Sequence, residues 1–236
     1  KSGGNGAPLM PILDWFLFKN KLLDVVTLNI GGIANISFIP QTANHDNVLG
    51  FDTGPGMALI DTSCRLFYGA KYDTNGKYAK KGKIDNILLD YLLQHKFINA
   101  KPPKSTGVHE FGSQLVNDIN KKYNHVNNND IIRTFCAFTA NSISNNINKF
   151  ININSEKCHL IISGGGVHHY ILMQDIKESC SIKNIYLSNA IGINPDKKES
   201  LLMSVLGVAR LQKMKISMPN VTGANKKVIL GDIIYE

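Results

Sequence analysis

Short β-branched runs separated by glycines dominate the first third of the chain. Residues 25–30 (VVTLNI) and 35–39 (NISFI) are two such runs, and residues 31–34 (GGIA) lie between them. Because β-branched residues favour strands and glycines favour tight turns, this pattern predicts an antiparallel hairpin with its turn at residues 31–34.

The next segment has the pattern of a strand, a turn and a helix. Residues 48–51 predict a third strand that ends at Asp52, and residues 52–56 (DTGPG) predict the turn after it. Apolar residues then recur at helical spacing from about residue 58 to 67. We therefore expect Asp52 at the carboxyl end of a buried strand.

The rest of the chain alternates between helical and strand patterns, which indicates an α/β fold. At 236 residues, one large domain or two lobes are both possible. The predicted helices are 84–95, 131–147, one starting near His169 or Tyr170, and 197–212 with Leu201, Leu202, Val205, Leu206 and Ala209 inward; the predicted strands are 159–163 and 184–187; residues 101–104 are non-helical and 121–129 form a surface loop.

Composition excludes several classes of function. No run of about 18 apolar residues occurs, and the start of the chain lacks an export pattern, so we expect a cytoplasmic protein without a membrane partner. The formal net charge is +8, but the lysines form no stripe with interleaved aromatic residues. We therefore expect no nucleic-acid partner.

Cysteines and histidines give no sign of a metal site. Cys64, Cys136, Cys158 and Cys180 stand singly, without the CxxC pairs of a zinc site. We interpret them as buried free thiols. The histidine pair at 168–169 has no partner at metal-ligand spacing, so a structural role is favoured and no protein metal ligands are predicted.

Two groups of glycines are candidate anion sites. Gly31 and Gly32 at a hairpin turn let backbone N–H groups approach a phosphate, although a plain hairpin also explains them. Residues 164–166 (GGG) lie between a buried strand and a helix N-terminus, where the helix dipole favours negative charge. Their spacing is not that of a dinucleotide-binding GxGxxG motif.

Asp52 is the best candidate for a general base. Ligands of open α/β sheets bind outside the carboxyl ends of the strands, where this carboxylate is predicted to lie. A helix N-cap or a turn-forming role is the alternative. Asp61, one turn into the following helix, is interpreted as a solvated or capping carboxylate.

The order of seven sequence strings makes a specific resemblance. They are GGNGAPLMP, GGIANIS, FDTGPG, PPKSTG, GGGVHH, NPDKKES and PNVTGA, and they run from residue 3 to residue 224. The chain thereby resembles the anhydro-N-acetylmuramic acid kinase family of the actin/hexokinase-like ATPase superfamily. The resemblance implies a ribonuclease H-like fold, with a mixed sheet flanked by helices.

The resemblance also implies a reaction. Enzymes of this family use ATP and Mg²⁺ to hydrolyse the 1,6-anhydro bond of anhydro-N-acetylmuramic acid and to phosphorylate O6, which yields N-acetylmuramic acid 6-phosphate for cell-wall (peptidoglycan) recycling. The expected partners are therefore this amino sugar and ATP, with a homodimer possible. The alternatives are an actin-like kinase for another sugar and a non-catalytic nucleotide-binding protein of the same fold.

Roles carry over to matching positions of this chain. The resemblance makes Asp52 the base that takes a proton from the water attacking C1. Glu199 would contact the sugar, although an exposed helix residue paired with Lys197 or Lys198 is the alternative. The remaining implied contacts are Gly31, Gly32 and Asn35 with the ATP phosphates, Gly164, Gly165 and Gly166 with adenosine, and Gly54, Pro55 and Gly56 with the sugar.

The chain departs from the family pattern in three respects. Met57 and His169 stand where the family usually has Asn, and the family's N-terminal MSGTSxDG-type segment is absent. We therefore expect residues 1–236 to be a C-terminal portion with the N-terminal lobe largely missing, and to be inactive alone. Within it, the phosphate hairpin and catalytic turn fall at 25–67 and the adenosine-side triplet at 159–175.

Overall fold

The structure is a computed structural model and describes residues 2–234. Lys1, which belongs to the segment considered for an export pattern, lies outside the described residues. The strands are β1 (Val25–Ile30), β2 (Ile33–Ile39), β3 (Leu49–Pro55), β4 (His159–Ser163) and β5 (Asn184–Leu187). The helices are α1 (Met10–Phe18), α2 (Ala58–Tyr68), α3 (Asn86–Leu93), α4 (Lys96–Asn99), α5 (Ser113–Lys122), α6 (Asn128–Phe150), α7 (Tyr170–Ser179), α8 (Lys198–Leu211) and α9 (Pro219–Thr222).

The five strands form one mixed sheet in the order β3-β2-β1-β4-β5. β1, β2 and β3 are antiparallel neighbours, whereas β4 pairs with β1 and β5 pairs with β4 in parallel. This arrangement, flanked by helices, confirms the predicted α/β class and has the strand order of a ribonuclease H-like sheet. The carboxyl ends of β1, β4 and β5 therefore lie at the same edge.

One face of the sheet is covered by the main hydrophobic core. Val26, Leu28 and Ile30 of β1 point to this face and pack with buried residues of α2, α6 and α7. α6 is the longest helix, and its middle is buried on most sides. Fourteen of its first twenty residues are buried, and apolar and small polar side chains both fill the interior.

The opposite face is apolar at the amino end of β1 and polar towards its carboxyl end. Val25 packs with residues of α1 and α8 in a smaller core. Above it, the hydroxyls of Thr27 and Ser37 both donate to Asp14 Oδ2 at 2.6 Å. Lys198 Nζ lies 2.6 Å from Asp14 Oδ1, and both side chains are almost fully buried. This ion pair joins α1 to the start of α8 on this face of the sheet.

The structure corrects several predicted elements. Ile33 and Ala34 belong to β2, so the hairpin turn consists of Gly31 and Gly32 alone; β3 continues past Asp52. The predicted loop at 121–129 is wrong at both ends, because α5 runs to Lys122 and α6 begins at Asn128. Leu201 was predicted inward but is 39% exposed.

The expectations on strand bounds and on cysteines are confirmed. The predicted bounds of β1, β4 and β5 match the structure, and all four cysteines are buried free thiols. Across residues 2–234, no helix has both the length and the apolar character that a membrane span requires.

Candidate active site

The Gly31-Gly32 turn is held in place by the turn that follows β3. The backbone N–H of Gly56 donates to Gly32 O at 2.9 Å, and that of Met57 donates to Gly31 O at 2.8 Å. A Cβ on Gly56 would lie 2.3 Å from Gly31 O, so only glycine permits this approach. The two turns therefore form one rigid unit.

α6 fixes the same unit from the core side. Thr139 Oγ1 donates to Gly56 O at 3.2 Å, and Asn146 Nδ2 donates to Thr53 O at 3.3 Å. Gly54 has a φ of +141°, and a Cβ there would lie 2.7 Å from Ile98 Cδ1. Gly54 and Gly56 are thus required by packing and backbone conformation.

A cavity of about 510 Å³ opens on one side of the Gly31-Gly32 turn, and we call it the glycine cavity. Cβ atoms on Gly31 and Gly32 would make only ordinary contacts, at 3.6 and 3.7 Å, so packing does not demand glycine at either position. The lining residues are Ile30, Gly31, Gly32, Met57, Asp61, Tyr72, Asp73, Thr74, Asn75, Gly165, His168 and His169.

The glycine triplet contributes one residue to this cavity. Gly164 has a φ of +88°, and its Cβ would lie 2.6 Å from Ile30 O; a Cβ on Gly166 would lie 2.3 Å from Ile30 Cγ2. Gly165 lines the cavity, and a Cβ there would meet no atom of the described residues within 4 Å. Gly164 and Gly166 therefore allow close packing on β1, whereas Gly165 leaves space open.

His169 and Asp73 form a buried pair in the wall of the glycine cavity. Leu172 N–H donates to His169 Nδ1, so the proton lies on Nε2, which donates to Asp73 Oδ2 at 3.2 Å. Burial alone would raise the pKa of Asp73, but the hydrogen bonds from His169 and from two backbone N–H groups lower it. His169 thus caps α7 and has the structural role expected for it.

Asp61 is neither a cap nor fully solvated. It lines the glycine cavity, and its Oδ1 is buried without a hydrogen-bond partner among the described residues. Burial raises the pKa of this carboxyl group. A buried, unpartnered carboxylate oxygen beside a cavity is suited to a bound cation.

Three polar side chains form a row across the polar face of the sheet. Asn29 of β1 is opposite Asn35 of β2, and Asn35 is opposite Asp52 of β3. A β-bulge lies between Ala34 and Asn35, where Ala34 pairs with Gly54 and Thr53 is left over. Because side chains alternate along a strand, the bulge brings Asp52 to the same face as the two asparagines.

Asp52 is clasped by a segment that is distant in sequence. Its side chain is 5% exposed, and its Oδ2 accepts the Ser105 hydroxyl at 2.7 Å and the Thr106 N–H at 2.8 Å. Burial raises the pKa of Asp52, although these two hydrogen bonds and the charge of Lys104 oppose the rise. The carboxyl group is therefore oriented through one oxygen.

A second cavity, of about 380 Å³, contains this carboxylate, and we call it the Asp52 cavity. Glu199 reaches it from the first turn of α8, next to the buried Lys198. Glu199 is exposed, as the alternative interpretation held, but Lys198 is paired with Asp14, and no salt bridge joins Glu199 to Lys197 or Lys198 among residues 2–234. The lining residues are Ala7, Pro8, Leu9, Met10, Asn29, Ile33, Asn35, Asp52, Ser105, Thr106, Glu199, Leu202 and Met203.

The structure brings most of the predicted site residues to these two cavities. Asn35, predicted at the phosphates, lies in the Asp52 cavity, whereas Gly54, Pro55 and Gly56 are packed beneath it. Sequence reasoning missed Asn29, Ser105 and Thr106 as site residues. Within residues 2–234, no cluster of three or more His, Cys, Asp or Glu side chains could hold a metal ion.

Comparisons with known proteins agree on one family. A protein-family model described as "Anhydro-N-acetylmuramic acid kinase" matches residues 1–236. A curated protein of that name from Clostridioides difficile (strain 630) is 40% identical over 232 residues, which cover 98% of this chain and 61% of the relative. Its counterpart from Bacillus cereus (strain 03BB102) is 34% identical, with 99% and 62% covered.

The chain thus spans about three fifths of the length of the curated relatives it matches. These matches give no support to the expectation that residues 1–236 are inactive alone. Among solved structures, an activator of 2-hydroxyisocaproyl-CoA dehydratase from Clostridium difficile with bound ADPNP aligns with a TM-score of 0.46 at 10% identity, over 87% of this chain and 67% of that one.

Proposed function

Because the chain belongs to the anhydro-N-acetylmuramic acid kinase family, we propose that it forms part of an ATP-dependent kinase that acts on this amino sugar. The reaction hydrolyses the 1,6-anhydro bond and phosphorylates O6, giving N-acetylmuramic acid 6-phosphate. Its role is peptidoglycan recycling, and we place it in the cytoplasm, where ATP is available. Residues 1–236 span about three fifths of the length of the curated relatives, and a homodimer stays a prediction.

The observation that carries this proposal is the position of two cavities on either side of one hairpin. The glycine cavity reaches Ile30, Gly31 and Gly32, and the Asp52 cavity reaches Asn29 and Ile33 on the same hairpin. A nucleotide in the first cavity would place its terminal phosphate near the second. Phosphoryl transfer requires such positioning of donor and acceptor more than covalent chemistry by the protein.

Asp52 is the proposed general base in the Asp52 cavity. Ser105 and Thr106 bind Oδ2, which leaves Oδ1 as the oxygen that would take a proton from the water attacking C1. Burial raises the pKa of the carboxyl group, and a base is more effective when its pKa lies closer to the working pH. The hydrogen bonds from Ser105 and Thr106 therefore both orient the base and keep it ionised.

The glycine cavity has the features that a nucleotide and its cation need. Gly31, Gly32 and Gly165 keep space open where side chains would project, and the backbone at the first two can approach phosphates. Asp61 would hold Mg²⁺ through its unpartnered oxygen. When bound, the ion would neutralise phosphate charge. Gly164 and Gly166 support the adenosine side indirectly, through their packing on Ile30.

The sugar would occupy the Asp52 cavity. Glu199, Asn29 and Asn35 line it, and carboxylate and amide groups can together bind the hydroxyl and acetamido groups of an amino sugar. We extend the sugar site to Asn29 and Asn35 on this basis. Gly54, Pro55 and Gly56 would act by shaping the end of β3, just beyond Asp52, and the turn that follows it.

The test uses the complete gene product and measures ADP release with anhydro-N-acetylmuramic acid, N-acetylglucosamine or no sugar. We expect release only with the anhydro sugar, and a product that gains one oxygen from ¹⁸O-water at C1. Release with N-acetylglucosamine alone would favour a kinase for another sugar. ATP binding without any sugar-dependent release would favour the non-catalytic alternative.

A further inference from the structure

Lys104 is a buried cation to which the proposed mechanism gives no role. Its side chain is 5% exposed, and its Nζ donates to Phe97 O at 3.0 Å and to Ile98 O at 3.1 Å. The rings of Phe51, Phe97 and Phe150 surround the ammonium group, with centroids 5.8, 4.8 and 5.4 Å away.

No carboxylate of residues 2–234 lies within salt-bridge distance of this ammonium group. Burial, together with the charge of Lys149 on α6, lowers the pKa of Lys104 to about 8. Burying a charge without a counter-ion is costly, and the two carbonyls and the faces of the three aromatic rings offset only part of that cost. The net effect of these surroundings still disfavours the charged form of Lys104.

The backbone of Lys104 connects its buried ammonium group to Asp52. Lys104 O accepts the Asp52 N–H at 3.2 Å, and the next two residues supply both hydrogen bonds to Asp52 Oδ2. Thr106 Oγ1 also donates to Glu110 at 2.6 Å, which steadies the far end of the segment. Residues 104–106 thus contact Asp52 through its backbone and its side chain, and Lys104 ties them to α4.

We infer that Lys104 is a positioning residue for Asp52: its ammonium group anchors the segment that orients the carboxylate, and its charge favours the ionised base. This inference rests on the role proposed for Asp52. The other charged groups near this pair are Lys149 of α6, Glu199 of α8 across the Asp52 cavity, and Glu110 with His95, whose Nε2 lies 3.8 Å from Glu110 Oε1.

The test compares Lys104→Met with Lys101→Met in the complete gene product. Lys101 is exposed on the same segment, which makes it a matched control. We expect Lys104→Met to unfold at a lower temperature, because the carbonyls of Phe97 and Ile98 lose a donor. We also expect it to lower kcat about tenfold or more and to leave the Kd for ATP within about twofold, because a misplaced base affects turnover more than nucleotide binding. Lys101→Met should behave like the parent protein.

The pH profile separates positioning from a merely structural role. Without the positive charge, the pKa of Asp52 rises, so the acidic limb of kcat should move to higher pH in Lys104→Met. If Lys104→Met fails to fold, Lys104→Gln answers the same question, since its amide can donate to one of the two carbonyls. A folded variant with unchanged kcat and an unchanged acidic limb overturns the inference.

Asp52→Asn is measured alongside. If it is inactive while the folded Lys104 variant is normal, only the positioning role fails. If Asp52→Asn turns over normally, the proposed role of Asp52 fails, and the inference fails with it.

Discussion

Three adjacent glycines should respond to alanine in two different ways. Gly164 and Gly166 pack against Ile30 of β1, whereas Gly165 borders the glycine cavity and its Cβ would enter open space. We therefore expect Gly164→Ala and Gly166→Ala to reduce stability, and Gly165→Ala to reduce nucleotide binding.

The contacts set the size of each effect. A Cβ at Gly166 would lie 2.3 Å from Ile30 Cγ2, and overpacking of this kind typically costs about 1–3 kcal/mol. Gly164 adds the strain of a φ of +88°, in a region that only glycine occupies readily. Gly165 has no such φ, so its replacement should leave stability unchanged or raise it by up to about 1 kcal/mol. A methyl group in the nucleotide space should raise the Kd for ATP about tenfold or more, which is about 1.4 kcal/mol.

The assay combines urea unfolding with calorimetric binding of a non-hydrolysable ATP analogue, for all three variants of the complete gene product. A Gly165→Ala variant that binds the analogue as the parent does would refute the assignment of this cavity to the nucleotide. A Gly166→Ala variant as stable as the parent would refute the packing argument for the triplet.

Three further predictions concern Asp52, the ion pair of Lys198 with Asp14, and Glu199. Asp52→Asn should lower kcat about a hundredfold or more while ATP binding is retained. The control Asp90→Asn, at an exposed position on α3, should change neither kcat nor ATP binding. The kcat of the parent protein should also fall with decreasing pH through a pKa above 3.8, because burial raises the pKa of Asp52 and the protonated carboxyl group accepts no proton. Normal turnover by Asp52→Asn would exclude it as the base. Lys198→Met should lower the free energy of unfolding by about 3–5 kcal/mol in urea, since it leaves Asp14 buried and unpaired; a loss below about 1 kcal/mol would contradict this. Glu199→Gln should raise the KM for the sugar but not the Kd for ATP, and an unchanged KM would remove Glu199 from the sugar site.

The elements that sequence predicted best are those with a strong local pattern. β1, β4 and β5 are short apolar or β-branched runs with polar or glycine boundaries, and their bounds agree with the structure. α5 was missed because most of its ten residues are polar and only Val116 and Ile119 are buried. α1 was missed because Pro8, two residues before it, and Pro11, in its first turn, were not recognised as signs of a helix start.

The site was predictable only in part, because much of it depends on contacts between distant segments. Asp52 and Glu199 carry recognisable motifs, but Ser105 and Thr106 reach Asp52 from more than fifty residues away. The pairing of Asn35 with Asp52 requires a β-bulge that no residue type in the sequence predicts. The glycine triplet was identified as a unit, whereas its three members differ in what surrounds them.

The irregularity between Ala34 and Asn35 also has a meaning for redesign of sugar specificity. β3 behaves as two half-strands that are out of phase, one up to Asp52 and one from Gly54. A substitution chosen by simple alternation from one half would be aimed at the wrong face in the other. Deleting Thr53 would restore a continuous phase with Asn35 still opposite Asp52, but it would remove the Thr53 carbonyl that accepts the Asn146 amide, so a variant library for this pocket should keep the length of β3 fixed.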